Sequence, residues 1–367
     1  MDKLKIFGGG TERWRTLGII ILSMIASLLV GSIFIIIMGQ NPLEAYKQLL
    51  ISPFTTSAGI GQILRGATPL IIIGVGVALA GHCGVSNMGG DGQYYMGTIG
   101  MMLVSVYWGE KLGGSSLFVG LLFGMLLGML TAMIGGIFKA YFKVSEIITT
   151  LMLNYIIEQL VGWMVRGPIQ AEGTKLGQSA PLHEWEKIPK LIQGSAASYT
   201  FFVAVASVLV FWFILYKTPL GYNIKTVGGS IKAAIYNGTS PKKYYIIVMA
   251  ISGLFSGLAG VMDLCGNQGR LQEGISDGFG FDAMLISLIG VRTPWGVFFA
   301  AILMSLLKVG GYSMQISCKV PVTLVEVIRG LMVLFILWGM SQKEGDSSFK
   351  GLKKIFGGSK KAEVKEA

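Results

Sequence analysis

Long apolar runs, each near the length of a bilayer crossing, alternate along this chain with short polar segments. Ten can be drawn, at residues 17–38, 60–80, 92–108, 117–138, 144–165, 199–216, 244–264, 281–291, 295–309 and 323–340. A helix needs about 20 mostly apolar residues to cross a hydrocarbon core. The pattern therefore predicts an all-α, polytopic membrane protein with about ten transmembrane helices, and an even number puts both termini on one side. The third and eighth spans are short and are predicted to be broken. Ahead of the third lies a polar, glycine-rich interruption, Gly81-His82-Cys83-Gly84-Val85-Ser86-Asn87-Met88-Gly89-Gly90-Asp91-Gly92-Gln93. Non-helical backbone at membrane depth is tolerated only inside protein or along a watery cavity. Discontinuous helices of this kind build substrate pathways, so the interruption points to passage across a membrane.

Small residues mark packing seams. Gly120, Gly124 and Gly128 recur at four-residue spacing, as do Gly253 and Gly257, with Ser252, Ser256 and Gly260 beside them. Such stripes let helix backbones approach closely in lipid, and packing within one subunit is a simpler reading than a dimer face. A faint internal repeat pairs Glu146-Ile147-Ile148-Thr149-Thr150-Leu151-Met152-Leu153-Asn154-Tyr155-Ile156 with Glu326-Val327-Ile328-Arg329-Gly330-Leu331-Met332-Val333-Leu334-Phe335-Ile336. The first copy starts at the inner end of the fifth span and the second at the outer end of the tenth, so they run in opposite directions. Asp91 before Gly100 and Asp282 before Gly290 sit in the matching third and eighth spans. The expectation is an inverted repeat of spans 2–5 and 7–10, with its interface near the midplane. Chance similarity between apolar helices is the competing reading.

Composition sharpens this picture. Of 367 residues, 52% are hydrophobic and 13% charged, against roughly 25% charged in soluble domains; the mean hydropathy is +0.64. Little chain is left for a water-soluble domain, and no G-x-x-x-x-G-K-[ST] loop is present, so the chain carries no ATPase site of its own. The net charge of +11 could suit a nucleic-acid binder. Here, however, the cations gather in short loops and tails, as the positive-inside rule requires. That rule puts an N-terminal segment (1–16), Lys139, Lys143, a loop at 217–245, Arg292 and a basic tail (341–367) in the cytoplasm. The tail reads as disordered. The first apolar run is too long for a secretory signal, whose apolar core spans about 7–15 residues, and reads as a retained span of a permease domain at 17–340. Cys83, Cys265 and Cys318 are far apart and the only histidines are His82 and His183. No metal site, disulfide framework or catalytic set follows from them.

Polar residues inside spans are expensive in lipid and face a bundle interior or a cavity. Asn87, Asp91, Gln93, Glu146, Asn154 and Asp282 are the candidates for a substrate pathway. Each has a structural alternative. Asp91 and Asp282 sit at helix starts, where a carboxylate favours the dipole. Asn87, Gln93 and Asn154 both donate and accept hydrogen bonds and suit a polar, neutral substrate. Glu158, Gln268, Glu326 and Arg329 are also intramembrane, with the last two able to pair at i,i+3. In the 217–245 loop, Ser230 can cap a short helix through Ala233-Ala234 that Gly238 ends. Such a helix suits a partner's docking site.

Together these segments resemble the permease subunits of ABC importers in the ribose and nucleoside branch, from about Ile60 to Met340. Asn87-Met88-Gly89-Gly90-Asp91-Gly92-Gln93 is similar to that family's N-I-G-A-E-G-Q, and Glu146 to Ile156 to its E-V-I-x-T-I-M-L-N-Y-I. Gln178-Ser179-Ala180-Pro181-Leu182 resembles its outer-loop Q-S-A-x-L. Gly221, Gly228, Ala233, Ala234 and Gly238 fall on its cytoplasmic coupling loop. Gly269-Arg270-Leu271 and Gly278 to Asp282 resemble the start of its eighth span. The resemblance implies nucleoside import across a bacterial cell membrane by alternating access. The implied partners are a cytoplasmic ATPase holding ATP and magnesium, a second permease subunit in a homo- or heterodimer, and an extracytoplasmic substrate-binding lipoprotein. A ribose-like sugar is the alternative substrate. An ion-coupled carrier is the alternative from another class. Asp91 replaces the family's glutamate, and Gly81-His82-Cys83 replaces a bulkier, basic stretch.

Overall fold

The computed structural model describes residues 10–173, 177–191 and 194–344. Among them every long element is a helix, and extended pairing is confined to isolated bridges at Gln170–Ser179, Gln178–Gln272 and Lys190–Ser198. In chain order the helices are α1 (Gly10–Ile37), α2 (Pro42–Leu50), α3 (Ser57–His82), α4 (Gly90–Leu112), α5 (Ser116–Ile137), α6 (Glu146–Val165), α7 (Thr200–Lys217), α8 (Pro219–Gly229), α9 (Ile231–Tyr236), α10 (Pro241–Asp263), α11 (Phe279–Ile289), α12 (Pro294–Cys318) and α13 (Val322–Glu344). Six apolar helical stretches among the described residues are long enough to cross a membrane, and one of them, Gly90–Phe142, is 53 residues and contains both α4 and α5. Residues 1–9 and the tail expected beyond residue 344 lie outside the described residues.

The described residues form two compact units, 41–322 and 10–40 with 323–344. In the smaller unit, α13 pairs Arg329 with Glu326 at 3.9 Å, the i,i+3 contact expected. The larger unit is built around α3, which is buried along most of its length and packed by α10, α12, α11 and α7. Its apolar surface on every side is what a central membrane helix requires. Thr56 caps α3 through Gly59 N at 3.1 Å.

The glycine stripes join helices within this unit. A side chain on Gly257 would press on the Gly124 carbonyl and Gly128 Cα, and one on Gly100 on Gly124 Cα. So α4, α5 and α10 meet backbone to backbone, where dispersion and close approach replace the absent hydrophobic drive.

Two sequence expectations are revised and two features are added. The third span is not itself broken: α4 is a continuous helix of 23 residues, and the interruption is the stretch 83–89 ahead of it. The polar run Asp91 to Gln93 belongs to the first turn of α4, where Asp91 is met by Ser276 and Gly280 and Gln93 by Asn87. The ninth span is longer than expected, with α12 reaching Cys318. The short helix α2 was not foreseen. Two π-turns, Phe138–Phe142 and Leu264–Gln268, end α5 and α10. By contrast α11 has only 11 residues, about 16 Å, roughly half a hydrocarbon core of about 30 Å.

Candidate functional site

Seven residues between α3 and α4 leave helical structure, and their backbone must be satisfied inside the protein. The end of α3 takes the amides of Cys83, Gly84 and Val85, and one face of α6 takes others further on. Glu146 Oε1 accepts from Ser86 N at 3.2 Å. Thr150 Oγ1 accepts from Met88 N at 3.3 Å. Asn154 Oδ1 accepts from Gly92 N, and its Nδ2 donates to the Met88 carbonyl, both at 2.9 Å. These three residues recur every fourth position, which keeps them on one slowly turning stripe of the helix. Lys139, in the π-turn after α5, reaches Glu146 at 2.5 Å and the Gly84 carbonyl at 3.4 Å.

Asn87 and Gln93 close the interruption on itself. Asn87 Nδ2 donates to Gln93 Oε1 at 2.9 Å, and Gln93 Nε2 donates back to Asn87 Oδ1 at 3.0 Å. Asn87 also donates to Ser252 Oγ on α10 at 2.8 Å. Both amides are buried. In this conformation Asn87, Gln93 and Asn154 spend their hydrogen bonds on the protein.

Asp91 joins the start of α4 to the start of α11. Its Oδ1 accepts from Gly280 N at 2.9 Å and from Ser276 Oγ, so the carboxylate caps α11 rather than its own helix. Gly90 is bare where it meets Gly280: a Cβ there would lie 2.7 Å from Gly280 Cα. Two helix N-termini thus converge inside the larger unit. Tyr95 OH, one turn further along α4, accepts from Ser276 N at 3.2 Å. Lys308 of α12 holds the same loop from the other side, through Asp277 Oδ2 at 2.5 Å and its carbonyl at 3.2 Å. Asp282 is half-buried in the first turn of α11.

Asp263 was not singled out in the sequence. It is buried at the end of α10, where its carboxylate accepts from Tyr94 OH at 2.7 Å, Asn267 Nδ2 at 2.9 Å and Gln268 Nε2 at 3.2 Å. The π-turn brings Asn267 and Gln268 round to it. The resembling motifs of the outer loop and the eighth span also meet. Ser179 N donates to the Leu271 carbonyl at 2.8 Å, and Leu271 N to Ser179 Oγ at 2.9 Å. Nearby, Lys190 Nζ donates to the Gly266 carbonyl at 2.8 Å. Burial, then the Arg65 cation, push that ammonium below the ordinary lysine range, while Asp263 opposes them.

The loop at 217–245 forms two helices. Thr218 caps α8 through Gly221 N at 3.3 Å, and Ser230 caps α9 through Ala233 N at 3.3 Å. Gly238, at φ +74°, ends α9 in the left-handed region, with Thr239 N donating to the Ala234 carbonyl at 2.9 Å. Gly228 lies against the His82 carbonyl, where any side chain would collide, and Gly221 lies against Ile214 and Leu215. So α8 rests on the end of α3 and on the interruption. Ala234 is buried, whereas Ala233, Ile235 and Tyr236 are exposed. There too, His82 Nε2 donates to the Arg292 carbonyl at 2.8 Å, and Arg292 Nη1 to the Gly81 carbonyl at 2.9 Å. The guanidinium packs on the bare Cα of Gly81, which accounts for the missing bulk at Gly81-His82-Cys83.

Comparison with known proteins gives this geometry its setting. Residues 59–337 match the family described as the permease component of the branched-chain amino acid transport system. The chain belongs to that family. It is 30% identical over 335 residues to a glucose ABC transporter permease of Haloferax volcanii, covering 88% of each chain. It is 29% identical to a guanosine ABC transporter permease of Bacillus subtilis, covering 86% of this chain and 91% of the relative. A nucleoside ABC transporter permease of Lactococcus lactis is also 29% identical, over 86% of this chain and 89% of its own. The chain is a multi-pass membrane permease subunit of an ABC importer, which works with an ATPase and a substrate-binding protein. The ion-coupled carrier is thereby set aside.

Proposed function

We propose that this permease imports nucleosides, by alternating access, across a bacterial cell membrane. The observation that carries the reading is the convergence of α4 and α11 at Asp91, Ser276 and Gly280. Two helices that begin inside the membrane, bound to each other, form a natural seam between two halves that can rock. In this reading the chain has ten spans, with spans 2–5 and 7–10 as an inverted repeat and both termini cytoplasmic. The guanosine and nucleoside permeases among its relatives support the substrate class. So does a site built of amide, hydroxyl and carboxylate groups.

The partners are a cytoplasmic ATPase that holds ATP and magnesium, a second permease and an extracytoplasmic lipoprotein. The ATPase docks on α9, whose Ile231, Ile235 and Tyr236 are exposed. Its stroke reaches the interruption through Gly228. Asn87, Asp91, Gln93, Glu146, Asn154 and Asp282 shape the pathway wall, mostly by holding broken backbone in place. A simple sugar is the second reading, favoured by the 30% identity to a glucose permease.

The test is co-purification of the tagged chain from its native membrane, followed by reconstitution of whatever ATPase, permease and lipoprotein come with it. ATP-dependent uptake of labelled nucleoside is expected. Uptake of glucose but not nucleoside would install the second reading, and a chain that purifies alone and folded would remove the partner assignments.

A further inference from the structure

The stripe on α6 does not stop at Asn154. Continued at the same spacing it reads Glu146, Thr150, Asn154, Glu158, Gly162 and Arg166. Steps of four residues turn only about 40° each, so the six positions trace one shallow spiral about 30 Å long. At one end Glu146 is bound by Lys139. At the other Arg166 Nη2 meets Glu273 Oε2 at 2.6 Å, and Gly162 leaves room for that carboxylate. Thr150 and Asn154 bind the interruption. Glu158 differs: among the described residues it makes no hydrogen bond or ion pair, and its side chain is exposed.

An exposed carboxylate on an otherwise apolar span does not sit in hydrocarbon. Ionisable groups there face a bundle interior or a watery cavity. Its flank is mixed: Gln159 is exposed, and so are the apolar Ile156 and Leu160. One turn before it, Asn154 binds Gly92 at the start of α4 at 2.9 Å, and Tyr95, one turn further along α4, accepts from the Ser276 amide at 3.2 Å. Glu158 therefore follows directly on the part of α6 that holds the start of α4, the helix that meets α11. Tyr155, 61% exposed one turn before it, supplies an aromatic face.

We infer that Glu158 is a substrate contact in the translocation pathway, one that accepts hydrogen bonds from the vicinal hydroxyls of a sugar ring. A carboxylate has two acceptor oxygens and no donor, which matches a pair of neighbouring hydroxyls. The same pairing holds nucleotide riboses in dinucleotide sites. This inference rests on the proposed class of substrate and adds which part of it the permease reads.

The experiment compares ATP-driven uptake of a ribonucleoside and its 2′-deoxy analogue by the complete reconstituted complex, as wild type, Glu158→Gln and Glu158→Asp. Affinities of the binding lipoprotein for both compounds are measured separately and divided out. Because the bond involves a charged acceptor, Glu158→Gln should lower ribonucleoside uptake about tenfold or more. Uptake of the deoxy analogue should change little, and Glu158→Asp should fall between. Equal losses for both compounds, or loss of the second permease from the purified complex, would make Glu158 a structural or interface residue and overturn the assignment. No change for either compound would overturn it too. If the complex carries glucose and no nucleoside, the substrate reading fails by itself, and the same comparison with 2-deoxyglucose decides the role of Glu158.

Discussion

At the scale of single residues, buried amides and carboxylates here bind backbone as well as one another. Asn154 is the clearest case, since one side chain satisfies both a carbonyl of the interruption and an amide in the first turn of α4. Its role as a polar intramembrane residue was legible in the sequence; what it binds was not, because Met88 and Gly92 lie more than 60 positions away. Asp263 was passed over for a related reason. It closes an apolar run, and its chief partner Tyr94 is 169 positions distant. Asn154→Leu leaves the Met88 carbonyl and Gly92 amide buried without partners. Each such group costs about 1–3 kcal/mol, so we expect about 2–6 kcal/mol lost in detergent unfolding, together with a fall in uptake. Wild-type stability with reduced uptake would instead mark Asn154 as a substrate contact.

At the scale of elements, what the sequence shows well is the length of apolar runs and the spacing of small residues. The seams of α4, α5 and α10 follow from four-residue glycine spacing, and the caps at Ser230 and Gly238 follow from local chemistry that needs no distant partner. The π-turns were not visible, and α2 was passed over by a search for long apolar runs although Asn41 and Pro42 mark its start and Ala45 and Leu49 its buried face. The seam predicts its own sensitivity. Gly257→Val would drive a side chain into the Gly124 carbonyl and Met125 Cα. Neither backbone can yield, so the variant should fail to give folded, monodisperse protein in mild detergent. A folded monomer that no longer binds its partner permease would move this seam to the dimer interface.

At the scale of the whole larger unit, the junction of α4 and α11 is where the two halves of the proposed repeat are tied. Asp91 supplies that tie with one oxygen shared between Ser276 and Gly280, and its charge lies at the N-terminal end of α11, where the helix dipole favours an anion. The sequence placed Asp91 at a helix start correctly and credited it to the wrong helix, since nothing local tells which of two meeting N-termini a carboxylate caps. Acceptor and charge can be separated. Asp91→Asn keeps an oxygen that accepts both bonds and removes the charge, whereas Asp91→Ala removes both. If hydrogen bonding holds the junction, Asn should stay within about 1 kcal/mol of wild type in unfolding, the usual size of a surface-exposed dipole effect or a little more. Ala should lose about 2–4 kcal/mol from the two abandoned donors. Uptake should follow stability only in part, because a junction that must open and close on each cycle is harmed by looseness before it unfolds. Asp91→Ala is therefore expected to hydrolyse ATP with the complete complex while importing little. Equal coupling in Ala and wild type would show that the junction is static and that the rocking seam lies elsewhere.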